Sequence, residues 1–192
     1  MTARKKVIFI TDGDDSAVNA VKVAADTLQC YFLSLSKGNP SFVKTEVLIK
    51  KIMEAPLEPV IILFDDAGFP GTGPGEKRMK EVANSPFIYV LGIIAVAAHS
   101  DTNDWTNVDI CVDRFGEITE YGVDKAGIKE TVVKRIRGDT VDLLNVHDEP
   151  IIIGIGDVGK MGGFDDFEVG APITKKAIQI IMERSGLREP PR

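Results

Sequence analysis

Acidic side chains follow three apolar runs of this sequence. The segment TDGDDS begins at Thr11, FDDAG begins at Phe64 and GIGDVGKMGG begins at Gly154. Because ligands of an open α/β sheet bind beyond the carboxyl ends of its strands, these acidic groups are predicted to gather at one rim. The carboxylates of this rim are Asp12, Asp14, Asp15, Asp65, Asp66 and Asp157.

Crowded carboxylates hold a divalent cation, share protons or turn away from one another. We predict Asp12, Asp65 and Asp66 as ligands of a hard cation, Mg²⁺ or Ca²⁺. The alternative is structural, because aspartates at strand ends also serve as helix caps and turn formers. On that interpretation Asp15 or Ser16 is the N-cap of the helix that follows the first strand.

A glycine-rich loop at 154–159, GIGDVG, fits the pattern G-x-G-x-x-G. The fit to a dinucleotide site is weak, because no helix opens at the last glycine and the position about 20 residues on is a lysine. Backbone amides of such a loop form anion-binding concavities. The predicted anion or ligand site consists of Gly154, Gly156, Gly159, Lys160 and Lys77. The alternative is a tight loop whose glycines supply positive φ angles.

Length and charge limit the classes of function. The chain has 192 residues, 44% of them hydrophobic, which is typical of one domain with its own core. Its net charge of −6 argues against nonspecific binding to nucleic acid, which depends on lysine and arginine. The longest nearly apolar run, at 87–98, is shorter than the roughly 20 residues of a membrane-spanning helix. We expect neither a signal peptide nor a transmembrane segment.

The order of apolar runs predicts the fold. Runs without polar alternation, typical of strands buried on both faces, lie at 7–11, 31–35, 60–64, 88–97, 108–112 and 150–155. Helical patterns lie between several of them. We predict an α/β fold with a single doubly wound, mostly parallel sheet, helices on both faces and a β-hairpin within 108–124. The predicted domain is 1–192, with an ordered core at 4–187 and a tail at 188–192.

Two long segments of the first half resemble the toprim domain, especially the small toprim nucleases that mature ribosomal RNA. Asp12 and Gly13 match the first toprim element, Asp65 matches the first acid of the second, and the tail of the second matches Gly75, Glu76 and Lys77. Ala67 stands where the family has its second acid. The resemblance implies a toprim-like first half and, as an alternative function, a magnesium-dependent nuclease or phosphotransferase. A scaffold that has lost the second acid is instead suited to binding.

A second resemblance covers residues 4–187. The segments KVIFITDGD, FDDAGFPGTGPGEK, PIIIGIGDVGKMGGFDD and GAPITKKAIQIIMERSG, in this order, are similar to the soluble version of stage V sporulation protein AE of spore-forming bacteria. That family belongs to the dipicolinic acid transport system of the spore, whose membrane proteins move calcium dipicolinate. The resemblance implies no enzymatic activity.

The second resemblance sets the expected function. We expect a soluble accessory protein of the calcium dipicolinate transport complex, acting in sporulation and germination. Its expected partners are the other proteins of the spore dipicolinate channel, and its expected place is the periphery of the inner spore membrane. Direct capture of calcium dipicolinate at the acidic rim is a further hypothesis. Calcium as a bridge, or Lys160 as a contact, is then needed because bare aspartates repel a dianion.

Overall fold

A computed structural model describes residues 3–38, 41–67, 73–97, 105–137 and 149–187. The predicted tail at 188–192 and the glycine-rich segment 68–72 lie outside the described residues. The α-helices are α1 (Asp15–Leu28), α2 (Thr45–Glu54), α3 (Pro74–Ala83) and α4 (Pro172–Arg184). The strands are β1 (Lys5–Ile10), β2 (Tyr31–Phe32), β3 (Val60–Leu63), β4 (Ile88–Val96), β5 (Trp105–Asn107), β6 (Ile110–Val112), β7 (Ile118–Thr119), β8 (Tyr121–Val123), β9 (Lys129–Val133), β10 (Arg135–Arg137) and β11 (Ile151–Ile155).

A seven-stranded sheet forms the centre of the protein, in the order β2-β3-β1-β4-β11-β6-β7. All neighbouring strands in it are parallel except β6 and β7. The antiparallel pair places Val112 opposite Ile118 and is the predicted hairpin. The α/β fold with a mostly parallel sheet and an attached hairpin is therefore confirmed.

Alternate side chains of the strands enter two separate cores. In β1, Ile8 and Ile10 face the core that contains α1 and α4. Val7 and Phe9 face the opposite core, which contains α2 and α3. All four side chains are fully buried, and burial of one such side chain contributes about 1.5–3 kcal/mol. Helices on both faces explain why the strands read as uninterrupted apolar runs.

Two small antiparallel pairs, β5 with β10 and β8 with β9, were not expected from the sequence. Their strands are short and half exposed, so their sequences lack a strong apolar signal. They cover a third, smaller core that includes Val108, Cys111, Val123 and Ile136. The turn between β8 and β9 reaches the main sheet, where the amide of Asp157 donates to the carbonyl of Lys125 at 2.9 Å.

The parallel arrangement brings the carboxyl ends of β1, β3 and β11 to one edge of the sheet. The loops that begin at residues 11, 64 and 156 leave the sheet at this edge. None of the described helices combines the length and the apolar character that a membrane span requires.

Candidate functional site

The loops that follow β1 and β3 lie against each other. The amide of Gly38 donates to the carbonyl of Gly13 at 3.3 Å, and the amide of Ser41 donates to the carbonyl of Asp65 at 2.9 Å. A Cβ atom on Gly13 would lie 2.3 Å from the Gly38 carbonyl oxygen and 2.8 Å from Cβ of Asp65. Only glycine permits this approach. The structure thus brings the predicted loops together at the sheet edge.

Asp12 is buried at the end of β1. Its Oδ1 accepts hydrogen bonds from the amide of Gly13 at 2.7 Å and the amide of Asp14 at 3.3 Å. The pKa of Asp12 is raised from its ordinary 3.8 to about 7, chiefly by burial and next by the charge of Asp14. The two backbone hydrogen bonds act in the opposite direction. Near neutral pH this carboxyl group therefore exchanges a proton.

Asp14 caps α1, and the prediction of Asp15 or Ser16 as the N-cap is wrong. The backbone of Asp14 is extended, with φ −74° and ψ 171°, so its Oδ1 accepts the amide of Ala17 at 2.9 Å. Its Oδ2 accepts a hydrogen bond from Lys160 Nζ at 2.5 Å. The carboxylate of Asp14 therefore caps α1 and also binds Lys160, which is distant in the sequence.

Lys160 bridges two of the predicted acidic loops. Besides Asp14, its Nζ lies 3.1 Å from Oδ2 of Asp157. Lys125 Nζ lies 3.4 Å from the same oxygen. Partial burial acts to lower the pKa of Lys160, but hydrogen bonds to Asp14 and Asp157 outweigh it, and the pKa is raised. Burial likewise acts to raise the pKa of Asp14, and Lys160 with the α1 amides lowers it.

Asp65 and Asp66 point to different partners. Asp66 is buried, and its Oδ1 accepts the amides of Gly75 at 2.6 Å and Glu76 at 3.1 Å at the start of α3. Asp65 is half buried, and its Oδ1 accepts the amide of Ala67 at 2.8 Å. Burial raises the pKa of Asp65, and the charges of Asp66 and Asp14 add to this. The chain thus uses one acid as a helix cap and the other in a turn.

These contacts bear on the predicted metal ligands Asp12, Asp65 and Asp66. Within the five described ranges, no group of three or more histidine, cysteine, aspartate or glutamate side chains is arranged to hold a metal ion. Asp12 and Asp65 lie on neighbouring loops, whereas Asp66 is directed to α3. A cation at this rim therefore remains a prediction for Asp12 and Asp65, with Asp66 committed to the helix.

The three glycines of the loop at 154–159 pack closely against neighbouring segments of the protein. Gly154 packs against Cys111 and Ile136, and Gly156 packs against the backbone of the β8–β9 turn. Of these three glycines, only Gly159, with φ +74°, has the left-handed conformation that favours glycine. Its amide donates to Oδ2 of Asp165 at 3.0 Å. These contacts favour the structural interpretation of the three glycines.

The two lysines of the predicted anion site are in different places. Lys160 lies beside the acidic loops, whereas Lys77 is exposed on α3. No described contact joins Lys77 to the glycine-rich loop. The structure thus brings Lys160, but not Lys77, to the loop at 154–159.

Asp165 was not predicted as a site residue, although its hydrogen bonds join the end of the glycine-rich loop to the start of α4. The side chain is fully buried and accepts the amides of Gly159, Ile173 and Thr174 and the hydroxyl of Thr174. Burial raises the pKa of Asp165, although these four donors act to lower it. The segment FDDF carries no local signal that separates buried Asp165 from its half-buried neighbour Asp166.

A shallow pocket of about 290 Å³ adjoins Lys160. Its lining residues are Asp124, Lys125, Ala126, Asp157, Lys160, Met161 and Gly162. Both lysines already contact Asp157, so each carries a carboxylate partner. Paired opposite charges of this kind suit a small polar ligand. Its charged groups would replace Asp157 as partners of the two lysines.

A family model described as stage V sporulation protein AE1 matches residues 6–185 of the 192 in the chain. The chain belongs to this family. It is therefore a sporulation-related protein, as the similar segments at 4–187 indicated. Comparison with curated proteins and with solved structures gives no match. The toprim likeness of the first half and the alternative of a magnesium-dependent nuclease or phosphotransferase gain no support from these comparisons.

Proposed function

We propose that this protein is a non-enzymatic accessory component of the calcium dipicolinate transport complex, active in sporulation and germination. The observation that carries the proposal is the family match, which spans residues 6–185 and so includes the site and the two main cores. We place the protein at the periphery of the inner spore membrane, where the other proteins of the dipicolinate channel hold it.

The contacts of the acidic rim support a binding role over a catalytic one. Asp14 and Asp157 share Lys160, and Asp66 caps α3. These carboxylates therefore tie loops together, whereas a catalytic acid or base needs a free position toward a reacting group. Asp12 is the exception, because its pKa of about 7 allows it to bind and release a proton near neutral pH. A rim of paired carboxylates that includes one group with a pKa near neutrality suits a regulated binding module.

Calcium dipicolinate is the ligand that this proposal assigns to the rim. The pocket beside Lys160 offers two ammonium groups for carboxylate oxygens, and the neighbouring carboxylates suit calcium. Calcium is required as a bridge because Asp12, Asp14 and Asp157 would repel the bare dianion. Isothermal titration with calcium dipicolinate, with dipicolinate alone as the control, tests this part. Equal heats of binding for calcium dipicolinate and for dipicolinate alone would show that calcium is not needed as a bridge.

A deletion strain tests the role in transport. Spores that lack this protein should accumulate less dipicolinate, or should release it more slowly during germination. Release is followed by the fluorescence of a terbium–dipicolinate complex in the medium. Normal content together with normal release would overturn the proposal. In spores that lack the membrane proteins of the channel, this protein should leave the membrane fraction.

A further inference from the structure

An exposed aromatic patch lies beside the acidic rim. Phe115 is 66% exposed and Phe164 is 42% exposed, and in the same turn segment as Phe164, Phe167 is 40% and Val169 is 65% exposed. Water contact of several large apolar side chains is unfavourable, and clusters of this kind mark interaction sites. We call Phe115, Phe164 and Arg114 the aromatic patch; Phe167 and Val169 are exposed in the turn that follows Phe164.

The patch is assembled from two loops that are distant in the chain. The rings of Phe115 and Phe164 meet edge to face, with centroids 5.3 Å apart and an angle of 83° between their planes. The guanidinium of Arg114 lies 5.1 Å from the first ring centroid and 5.0 Å from the second. Aromatic and arginine side chains are enriched at the energetic centres of protein interfaces.

Buried aspartates hold both loops in place. Oδ1 of Asp113 accepts the amides of Phe115 and Glu117, each at 2.9 Å, and so fixes the turn between β6 and β7. Asp165 fixes the segment that carries Phe164, and Asp166 accepts the amide of Glu168 at 2.8 Å. Because the loops are already ordered, a partner loses little affinity to ordering them.

The charges around the patch are mainly negative. Within 113–118 and 164–169 the sequence has five acidic residues, of which Asp113 and Asp165 are buried, and a single cation, Arg114. Glu117 and Glu168 are exposed at the rim. Lys129, from β9, contacts Asp113 and Glu117, both at 3.3 Å, and offsets part of this charge. The remaining surface complements an apolar segment that carries positive charge.

We propose that the aromatic patch docks a lysine- and arginine-rich, apolar protein segment at the cytoplasmic end of a transmembrane helix. Positive residues are in excess at the cytoplasmic ends of membrane-protein helices, and the patch supplies the matching apolar and acidic groups. An anionic lipid surface would be repelled by the same acidic rim. A second copy of the chain would bring like charges together. The choice of a membrane protein as the partner rests on the proposed function, whereas the assignment of the aromatic patch as a docking surface does not.

Peptide binding in solution tests the surface. The probe is a fluorescent 18-residue amphipathic helix of leucine and lysine, and the matched probe replaces every lysine with glutamate. We expect the double variant Phe115→Ser with Phe164→Ser to weaken binding of the lysine peptide at least tenfold. Phe87→Ser is the matched control, because Phe87 is 50% exposed at the opposite edge of the sheet, where its carbonyl accepts the amide of Lys5. It should bind as the wild type does.

A charge variant and lipid vesicles complete this test. Glu168→Lys changes a side chain that is exposed in the turn, so it should weaken binding of the lysine peptide severalfold without unfolding the protein. Circular dichroism checks that each variant is folded. Equal binding by the wild type and the double variant would overturn the inference. Phosphatidylglycerol vesicles that bind through Phe115 and Phe164 would overturn it as well.

Photo-crosslinking in sporulating cells identifies the partner. A benzoylphenylalanine at position 164, with position 87 as the control, should crosslink a basic segment of an integral membrane protein. If that protein belongs to the dipicolinate channel, both proposals are supported. A basic segment of an unrelated membrane protein would support the docking surface and overturn the proposed function. A crosslink to a second copy of this chain, or none at position 164, would overturn the docking surface alone.

Discussion

The ammonium of Lys160 lies 2.5 Å from Oδ2 of Asp14, a carboxylate 146 positions earlier in the chain. Asp14 caps α1 after the first strand, and Lys160 follows the last strand of the sheet. The pair therefore joins two loops at the carboxyl edge of the sheet. Asp157 completes the bridge at 3.1 Å. The candidate site is built on this contact.

Replacing Lys160 with glutamine should destabilise the protein by about 1 kcal/mol at pH 7, because both partners of the bridge are partly exposed. The pKa of Asp14 is lowered in the folded protein from its ordinary 3.8. Its contribution is therefore complete above this value and is lost as the pH falls through the lower, folded pKa. Urea unfolding at pH 7 and at pH 3 should show the difference shrinking in acid.

Lys125→Gln is the matched control for this variant. Lys125 makes one contact with Asp157 at 3.4 Å and none with Asp14 among the described ion pairs. Its loss should cost less than the loss of Lys160. Equal destabilisation by the two variants would show that the contact to Asp14 contributes nothing.

Asp12→Asn should stabilise the protein, and more at pH 8 than at pH 5. The folded pKa of Asp12 is about 7 and its ordinary value is 3.8, so the folded state binds more protons between these values. Wild-type stability therefore falls relative to the variant as the pH rises from about 4 to about 7. At about 1.4 kcal/mol for each pH unit, the upper limit of the difference is about 4 kcal/mol.

Two measurements check the behaviour of Asp12. The carbon-13 chemical shift of its carboxyl group should titrate near pH 7. Urea unfolding across pH 5 to 8 should show the divergence from Asp12→Asn, whereas exposed Asp15→Asn should follow the wild type. A titration near pH 4 would contradict the burial of this group.

Asp165→Asn should destabilise the protein by about 3 kcal/mol, because an amide nitrogen replaces an oxygen that accepts hydrogen bonds in a fully buried site. Oδ1 and Oδ2 each accept two donors, so either orientation of the asparagine leaves donors facing its nitrogen. The neighbouring Asp166→Asn should cost about 1 kcal/mol or less, since Asp166 caps only a short 3-10 turn. Thermal unfolding of both variants measures this difference. Similar losses would contradict the burial of Asp165.

Asp66→Ala should destabilise the protein by about 1–2 kcal/mol, because it leaves the first amides of α3 without their acceptor. Asp65→Ala should cost less than about 0.5 kcal/mol, since a half-buried carboxyl with two acidic neighbours is removed. Chemical denaturation ranks the two variants. Stabilisation of the wild type by magnesium or calcium, lost equally in both variants, would instead show that these acids bind a cation together.

The central sheet, and the edge of it where the acidic loops lie, can be predicted from the sequence alone. Uninterrupted apolar runs such as VIFI and VIIL indicate strands buried on both faces, and helical patterns between them favour parallel connection. Parallel strands place their carboxyl ends together, so the acidic loops were expected there. The short strands β5 and β8–β10 lack such a signal, because each carries few apolar residues in its sequence.

The role of each charged residue follows from contacts between distant segments, which local sequence patterns do not contain. Asp65 and Asp66 are adjacent in the chain, but one closes a turn and the other caps a helix nine positions away. Asp165 and Asp166 are likewise adjacent, but Asp165 is fully buried and Asp166 is not. The partners of Lys160 and the contact of Phe115 with Phe164 come from distant segments. Local patterns record which face of an element is apolar, whereas pairing and burial depend on how the elements pack.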